Sequence, residues 1–211
     1  MSEQLMQLLY KHGISVKSVL HVGGHRAQEL ESYQRNGIVS GLFVEAQEHL
    51  HRATEDGFSD KVNWKSINAL LSDSDGELVN FFLSSNDGMS SSLLSPSGHL
   101  VEHPEVQFSL GTQMRTSKLD SLDLGSFDLT VLDVQGAELK VLRGGMETIS
   151  NSQAIWLEVS VGGLYRGDPT INDIVAFLDQ HNFVIVYVDL LKHLWGDALF
   201  LSRSAMHVYG S

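Results

Sequence analysis

The stretch from Asp128 to Leu142, DLTVLDVQGAELKVL, constrains the fold more than any other part of this chain. Residues 129–134 form a nearly continuous apolar run that closes around a carboxylate, Asp133. A run without polar alternation suits a central parallel strand covered on both faces. Gly136 supplies a tight turn, and Leu139, Leu142 and Met146 then recur at helical spacing. Strand, turn and helix in this order predict an open α/β sheet. Such sheets bind ligands outside the carboxyl ends of their strands, and Asp133 stands there.

The same alternation continues in both directions. A short amphipathic helix is predicted over 3–12, within an N-terminal segment 1–13, then a strand at 18–22, the pair Gly23-Gly24 and a helix over 26–36 capped by Gly37. A strand at 41–46 and a helix at 47–56 follow. A third strand spans 62–71, and an acidic turn, SDSDG, leads to an extra strand at 78–83 that pairs back on it. Residues 84–116, rich in serine and glycine, read as a long inserted loop of the kind that is usually functional. Beyond the opening segment come a helix at 137–150, a strand at 154–160, a helix at 172–180 and a strand at 183–188. The last strand, 198–202, follows after about ten residues, too few for a parallel crossover helix, so it returns antiparallel.

At 211 residues the chain is expected to form a single domain over 1–211. Without cysteine it has neither disulfides nor a thiolate metal site. Its apolar runs are too short to span a bilayer, and residues 1–10 lack the cationic start of a signal peptide, which gives a cytoplasmic expectation. A formal net charge of −12 disfavours nucleic acid, whose affinity comes from Lys and Arg on phosphates. Neither a membrane nor a nucleic-acid partner is expected.

Two signals point to an adenosine-type ligand. The first strand enters His21-Val22-Gly23-Gly24-His25, where missing Cβ atoms allow close backbone approach and a helix start offers N–H groups. Glu45 ends the second strand 22 residues after Gly23, the place from which a carboxylate accepts hydrogen bonds from ribose hydroxyls. An NAD-dependent oxidoreductase shares these two features, and a non-catalytic nucleotide-binding module is a third reading.

The motif D-x-Q-G-A-E at Asp133 to Glu138 resembles that of the FkbM-type family of S-adenosylmethionine (SAM) dependent methyltransferases. The resemblance extends over about 19–203. It takes in LLSDSDGE at 70–77, SSSL at 90–93, TSKLDSL at 116–122, WLEV at 156–159, Leu164-Tyr165 and WGDALF at 195–200. At the first turn the family shows an acid and then V-G-A-N-x-G; this chain carries His21, His25 and Ala27 at the acid, the asparagine and the third glycine. The resemblance implies a Rossmann-like sheet of seven strands, parallel but for its last strand, with helices on both faces. It also implies SAM as cofactor and a sugar, glycan or other polyhydroxylated small molecule as methyl acceptor.

The cofactor is expected against His21, Gly23, Gly24, His25, Gln28, Glu45, Ala46, Asn68, Ala69, Asp133 and Gln135. Asp133 and Glu158, each ending a strand, are the candidate catalytic carboxylates, with a helix N-cap as the plainer role for Asp133. Ser91, Ser92, His99, His103, Glu138 and Tyr165 are candidate acceptor contacts, although Glu138 also suits the dipole at a helix start. No H-x-x-x-H helix or carboxylate cluster indicates a metal site.

Overall fold

The computed structural model describes residues 2–190 and 194–207. Met1, the first residue of the expected N-terminal segment, lies outside them. Seven strands build the main sheet: β1 (Ser18–Val22), β2 (Ser40–Glu45), β3 (Trp64–Asn68), β7 (Leu129–Leu132), β8 (Ala154–Ser160), β9 (Phe183–Asp189) and β10 (Trp195–Ser202). Their order is β3-β2-β1-β7-β8-β10-β9. The order reverses between β1 and β7, so the crevice of the sheet opens between their carboxyl ends, and ligand sites belong there. β10 runs antiparallel to both β8 and β9, as its short connection requires.

Both faces of the sheet are covered, which is why β7 can be buried throughout. Alternate residues of each strand feed two cores. Val19, Val131 and Trp156 join Leu5 and Leu9 of α1 (Ser2–Lys11) and Tyr33 of α2 (Leu30–Arg35). Leu20, Val22 and Leu132 join Val141 and Leu142 of α5 (Glu138–Ile149) and Ile174 and Leu178 of α6 (Ile171–Gln180). The helix α3 (Glu48–Gly57) lies beside β2 and β3. No described helix is long and apolar enough to cross a membrane.

The inserted region differs from expectation. The third strand breaks at Ala69, whose N–H donates to the Glu45 carbonyl, and β4 (Leu70–Leu71) turns away into a second, three-stranded sheet. β5 (Leu78–Ser84) does not pair back through the acidic turn. It pairs with β6 (Phe108–Ser117), from Leu78 opposite Arg115 to Ser84 opposite Phe108. The expected long loop therefore holds a ten-residue strand and the short helix α4 (His99–Glu102). The acidic turn is spent on clamps instead: Asp75 accepts from the Lys118 N–H and the Ser121 hydroxyl, and Asp73 pairs with Lys140.

The helix expected over 26–36 begins only at Leu30, because Ala27 is left-handed, with φ of 54°. A non-glycine residue there costs about 1–2 kcal/mol. The position is one where Gly fits without strain. Ala27→Gly is therefore expected to raise unfolding stability by about 1 kcal/mol in a urea titration, net of glycine's extra chain entropy. A loss of stability would show that the Ala27 methyl, buried in the core with Tyr33, outweighs the backbone strain.

Candidate active site

The site begins with a close approach between two backbones. The Gly23 and Gly24 N–H groups both donate to the Val44 carbonyl, and the Asp133 N–H donates to the Val22 carbonyl at 2.9 Å. A Cβ on Gly23 would lie 1.8 Å from the Asp133 carbonyl oxygen, and one on Gly24 would lie 2.8 Å from the Phe43 ring. These glycines serve the joint between β1, β2 and β7 rather than leaving room for a ligand alone. His25 is also left-handed, with φ of 45°, a conformation that Asn and His tolerate better than most residues.

A cavity of about 210 Å³ opens above this joint. His21, Gly23, Gly24, His25, Gln28, Glu45, Ala46, Ala69, Asp133 and Gln135 all line it, joined by Val44, Leu71 and Phe81 on an apolar side. Asn68 does not line it. Its side chain donates to the Glu45 and Ala46 carbonyls and so shapes the rim from outside. Glu45 is only 6% exposed. One of its oxygens accepts from the His25 N–H at 2.9 Å and the other from the Gln47 N–H at 2.7 Å. Burial raises its pKa against those bonds. Since each carboxylate oxygen has two lone pairs, both keep capacity for a further donor.

His21 is buried against this cavity, stacked on Phe43 at 5.2 Å and hydrogen-bonded through Nδ1 to the Tyr33 hydroxyl at 3.0 Å. Burial drives its pKa down to about 4, opposed by the nearby charge of Asp133. At neutral pH it is an uncharged imidazole.

A second cavity, of about 440 Å³, adjoins the first through Asp133, Gln135 and Met89. Glu158, His99, His103 and Tyr165 line it. Gln135, with φ of 55°, is its hub. Its amide nitrogen donates to Asp133 at 2.7 Å and to Glu158 at 2.9 Å, while its amide oxygen accepts from the Tyr165 hydroxyl at 3.1 Å. Burial raises the pKa of both carboxylates, and for Glu158 the charges of Asp133, Glu138 and Asp197 raise it further. Burial likewise pushes Asp197 up to about 6, with Asp133 adding to it.

One plainer alternative is set aside and two expectations are corrected here. Asp133 is not a helix N-cap: α5 starts after Ala137, with no side-chain cap. Glu138 does not face the acceptor cavity. It is buried, and one oxygen accepts from the Val134 and Gly136 N–H groups, clamping the turn that carries Gln135. Burial pushes its pKa up to about 7. Ser91 and Ser92 are buried too, their hydroxyls committed to backbone. Ser91 accepts from the Ser84 N–H and lines the first cavity, whereas Ser92 donates to the Gln135 carbonyl. Two residues given no role from sequence, Asp197 and Trp195, line the second cavity. Asp197 stands opposite Glu158 in the β8–β10 register; its signals in the sequence were its place in the WGDALF motif and an acid on a largely apolar strand. Among the described residues, no three His, Asp or Glu side chains are grouped as a metal ion would need.

The Methyltransferase FkbM domain matches residues 21–185. The chain belongs to this family. The 2-O-methyltransferase NoeI of Sinorhizobium fredii is 34% identical over 124 residues, covering 54% of this chain and 51% of that protein. The match thus spans about half the length of that relative. Among solved structures, the ribosomal protein L11 methylase of Lactobacillus delbrueckii subsp. bulgaricus superposes with a TM-score of 0.53 at 13% identity, covering 96% of this chain and 79% of that one. Streptococcus pneumoniae Sp1610, a putative tRNA (m1A22) methyltransferase in complex with S-adenosyl-L-methionine, gives 0.51 at 13% identity, covering 94% and 72%. At such identities the likeness is one of fold. Within the FkbM domain, the D-x-Q-G-A-E motif acquires a physical reading: Asp133 and Gln135 face the cavities, and Glu138 holds the turn.

Two outcomes follow from this geometry. Glu138→Ala leaves the Val134 and Gly136 N–H groups without their acceptor, at about 1–3 kcal/mol for each buried group. Glu138→Gln keeps an acceptor oxygen and should cost under about 1 kcal/mol in the same unfolding assay; equal losses would remove the clamp. For His21 the folded pKa lies below the unfolded 6.5, so the unfolded chain binds more protons between about pH 4 and 6.5. The stability of the wild type relative to His21→Gln should therefore rise across that window, by about 3 kcal/mol at 1.36 kcal/mol per pH unit, and level off above it. A flat difference would mean that His21 titrates normally in the fold.

Proposed function

We propose that this chain is a SAM-dependent O-methyltransferase acting on a hydroxyl of a sugar, glycan or other small polyhydroxylated molecule. The observation that carries the reading is the meeting of two cavities at Asp133 and Gln135 in a chain of the FkbM family. The first cavity fits the cofactor: Glu45 retains acceptor sites for a ribose diol, and Val44, Leu71 and Phe81 offer an apolar wall to an adenine ring. Support comes also from Sp1610, whose structure of similar fold holds SAM. The family weighs against an NAD-dependent oxidoreductase.

When bound, SAM supplies a methyl group on a sulfonium, which leaves as a neutral thioether. The residues of this chain have to align an acceptor oxygen with that methyl and exclude water, and most of the acceleration comes from such positioning. Asp133 lies where the cavities join and is assigned the proton of the attacking hydroxyl. Its raised pKa makes it a better base than an exposed aspartate, because catalytic efficiency improves as the pKa nears the working pH. Gln135 fixes its orientation, and Glu158 lends negative potential from the acceptor side. A polyhydroxylated acceptor suits the polar lining of His99, Ser90 and Asn86. The formal charge of −12 speaks against a nucleic acid as acceptor.

Glu45→Ala is expected to weaken SAM binding by about 1.5–3 kcal/mol, the usual loss for hydrogen bonds to a charged group. Unchanged affinity by calorimetry would remove Glu45 from the ribose. Asp133→Asn keeps the bond from Gln135 but removes the charge, so turnover should fall by roughly 10² to 10⁴-fold with SAM affinity held. Full turnover would pass the role of base to Glu158.

A further inference from the structure

The acceptor cavity has a chemical bias of its own. Asp133, Glu158, Asp197 and Glu105 line it, while among the described residues no Lys or Arg does. Glu158 and Asp197 stand directly opposite one another on adjacent antiparallel strands, an arrangement in which like charges repel. Gathering carboxylates in one partly buried cavity is costly, and the cost is relieved either by protonation or by a cation that compensates them. The grouping does not suit a metal ion. The aromatic rings of Trp195 and Tyr165 border the same space, and such faces attract organic ammonium groups. His99 adds an independent observation: it lines the cavity, is only 6% exposed, and its buried Nδ1 has no hydrogen-bond partner. It is a buried polar atom that the fold itself leaves unspent beside this cavity.

We propose that the methyl acceptor carries an amino group, as in an amino sugar or amino alcohol. Its ammonium sits between Glu158 and Asp197, against Trp195 and Tyr165, while its hydroxyl is presented to Asp133. This inference rests on the O-methyltransferase reading and sharpens it to a charge class. Acceptors bearing phosphate or carboxylate meet the repulsion of the same carboxylates and are excluded. Methyl transfer is to oxygen: the new C–O bond forms as the C–S bond breaks, and the hydroxyl proton passes to Asp133.

The test is calorimetric binding and methylation of three matched acceptors: a free hexosamine, its N-acetylated form and its phosphate ester. Binding is measured on the full chain saturated with S-adenosylhomocysteine, and methylation in the presence of SAM. The free amine is expected to bind at least tenfold tighter than the N-acetyl form, with the phosphate ester weakest. Asp197→Asn should raise KM for the amine tenfold or more with little change in kcat, and should erase most of the preference for the amine over the N-acetyl form. Equal use of the amine and N-acetyl sugars would overturn the amino-group assignment while leaving sugar O-methylation intact. Absence of binding and of methylation for all three would overturn the sugar reading itself, and the charge class with it.

Discussion

The contact between the backbone of Gly23 and that of Asp133 organises this molecule. The first turn of the sheet lies so close to the end of β7 that the Asp133 carbonyl occupies the space of a Cβ on Gly23. The hydrogen bond from the Asp133 N–H to Val22 ties the two strand ends at the point where the strand order reverses. Everything placed at the crevice follows from that joint. β2 sets Glu45 on one side of it, and β7, β8 and β10 present Asp133, Glu158 and Asp197 on the other. Two cavities with a shared wall are the geometric consequence.

The second constraint is electrostatic. Neighbouring strands bring three acids together: burial raises the pKa of each, and the charge of Asp133 raises Glu158 and Asp197 further. Gln135 makes this tolerable by offering both amide hydrogens to two of them, which needs its left-handed backbone and the Glu138 clamp beneath. The motif D-x-Q-G-A-E is therefore one device with divided labour. Asp133 is held where the two cavities join by its bond from Gln135, on a turn that Glu138 clamps.

Much of this was legible in the sequence, for reasons that separate cleanly. The apolar run at 129–134 is short and followed by Gly136, which suits a strand buried on both faces and pointed to the class of fold. Glu45 and Gly23 were legible because their spacing follows from a strand–turn–helix–strand unit. β6 was not: half of its residues are exposed and only one is buried, so no hydrophobic period distinguished Phe108–Ser117 from a loop. The serines at 90–92 misled because their hydroxyls are spent within the protein, Ser91 on the nearby Ser84 and Ser92 on the distant Gln135. Asp197 was hidden for a related reason, since its meaning comes from a register with Glu158 that only the folded sheet supplies.

The central claim is that the joint of β1, β2 and β7 is a SAM site. Titration calorimetry of the full chain against SAM, S-adenosylhomocysteine and NAD measures this most directly. The account predicts saturable binding of the first two at one site per chain and no binding of NAD. Binding of NAD, or heat-silent titrations with both SAM and S-adenosylhomocysteine while the chain remains folded, would contradict it.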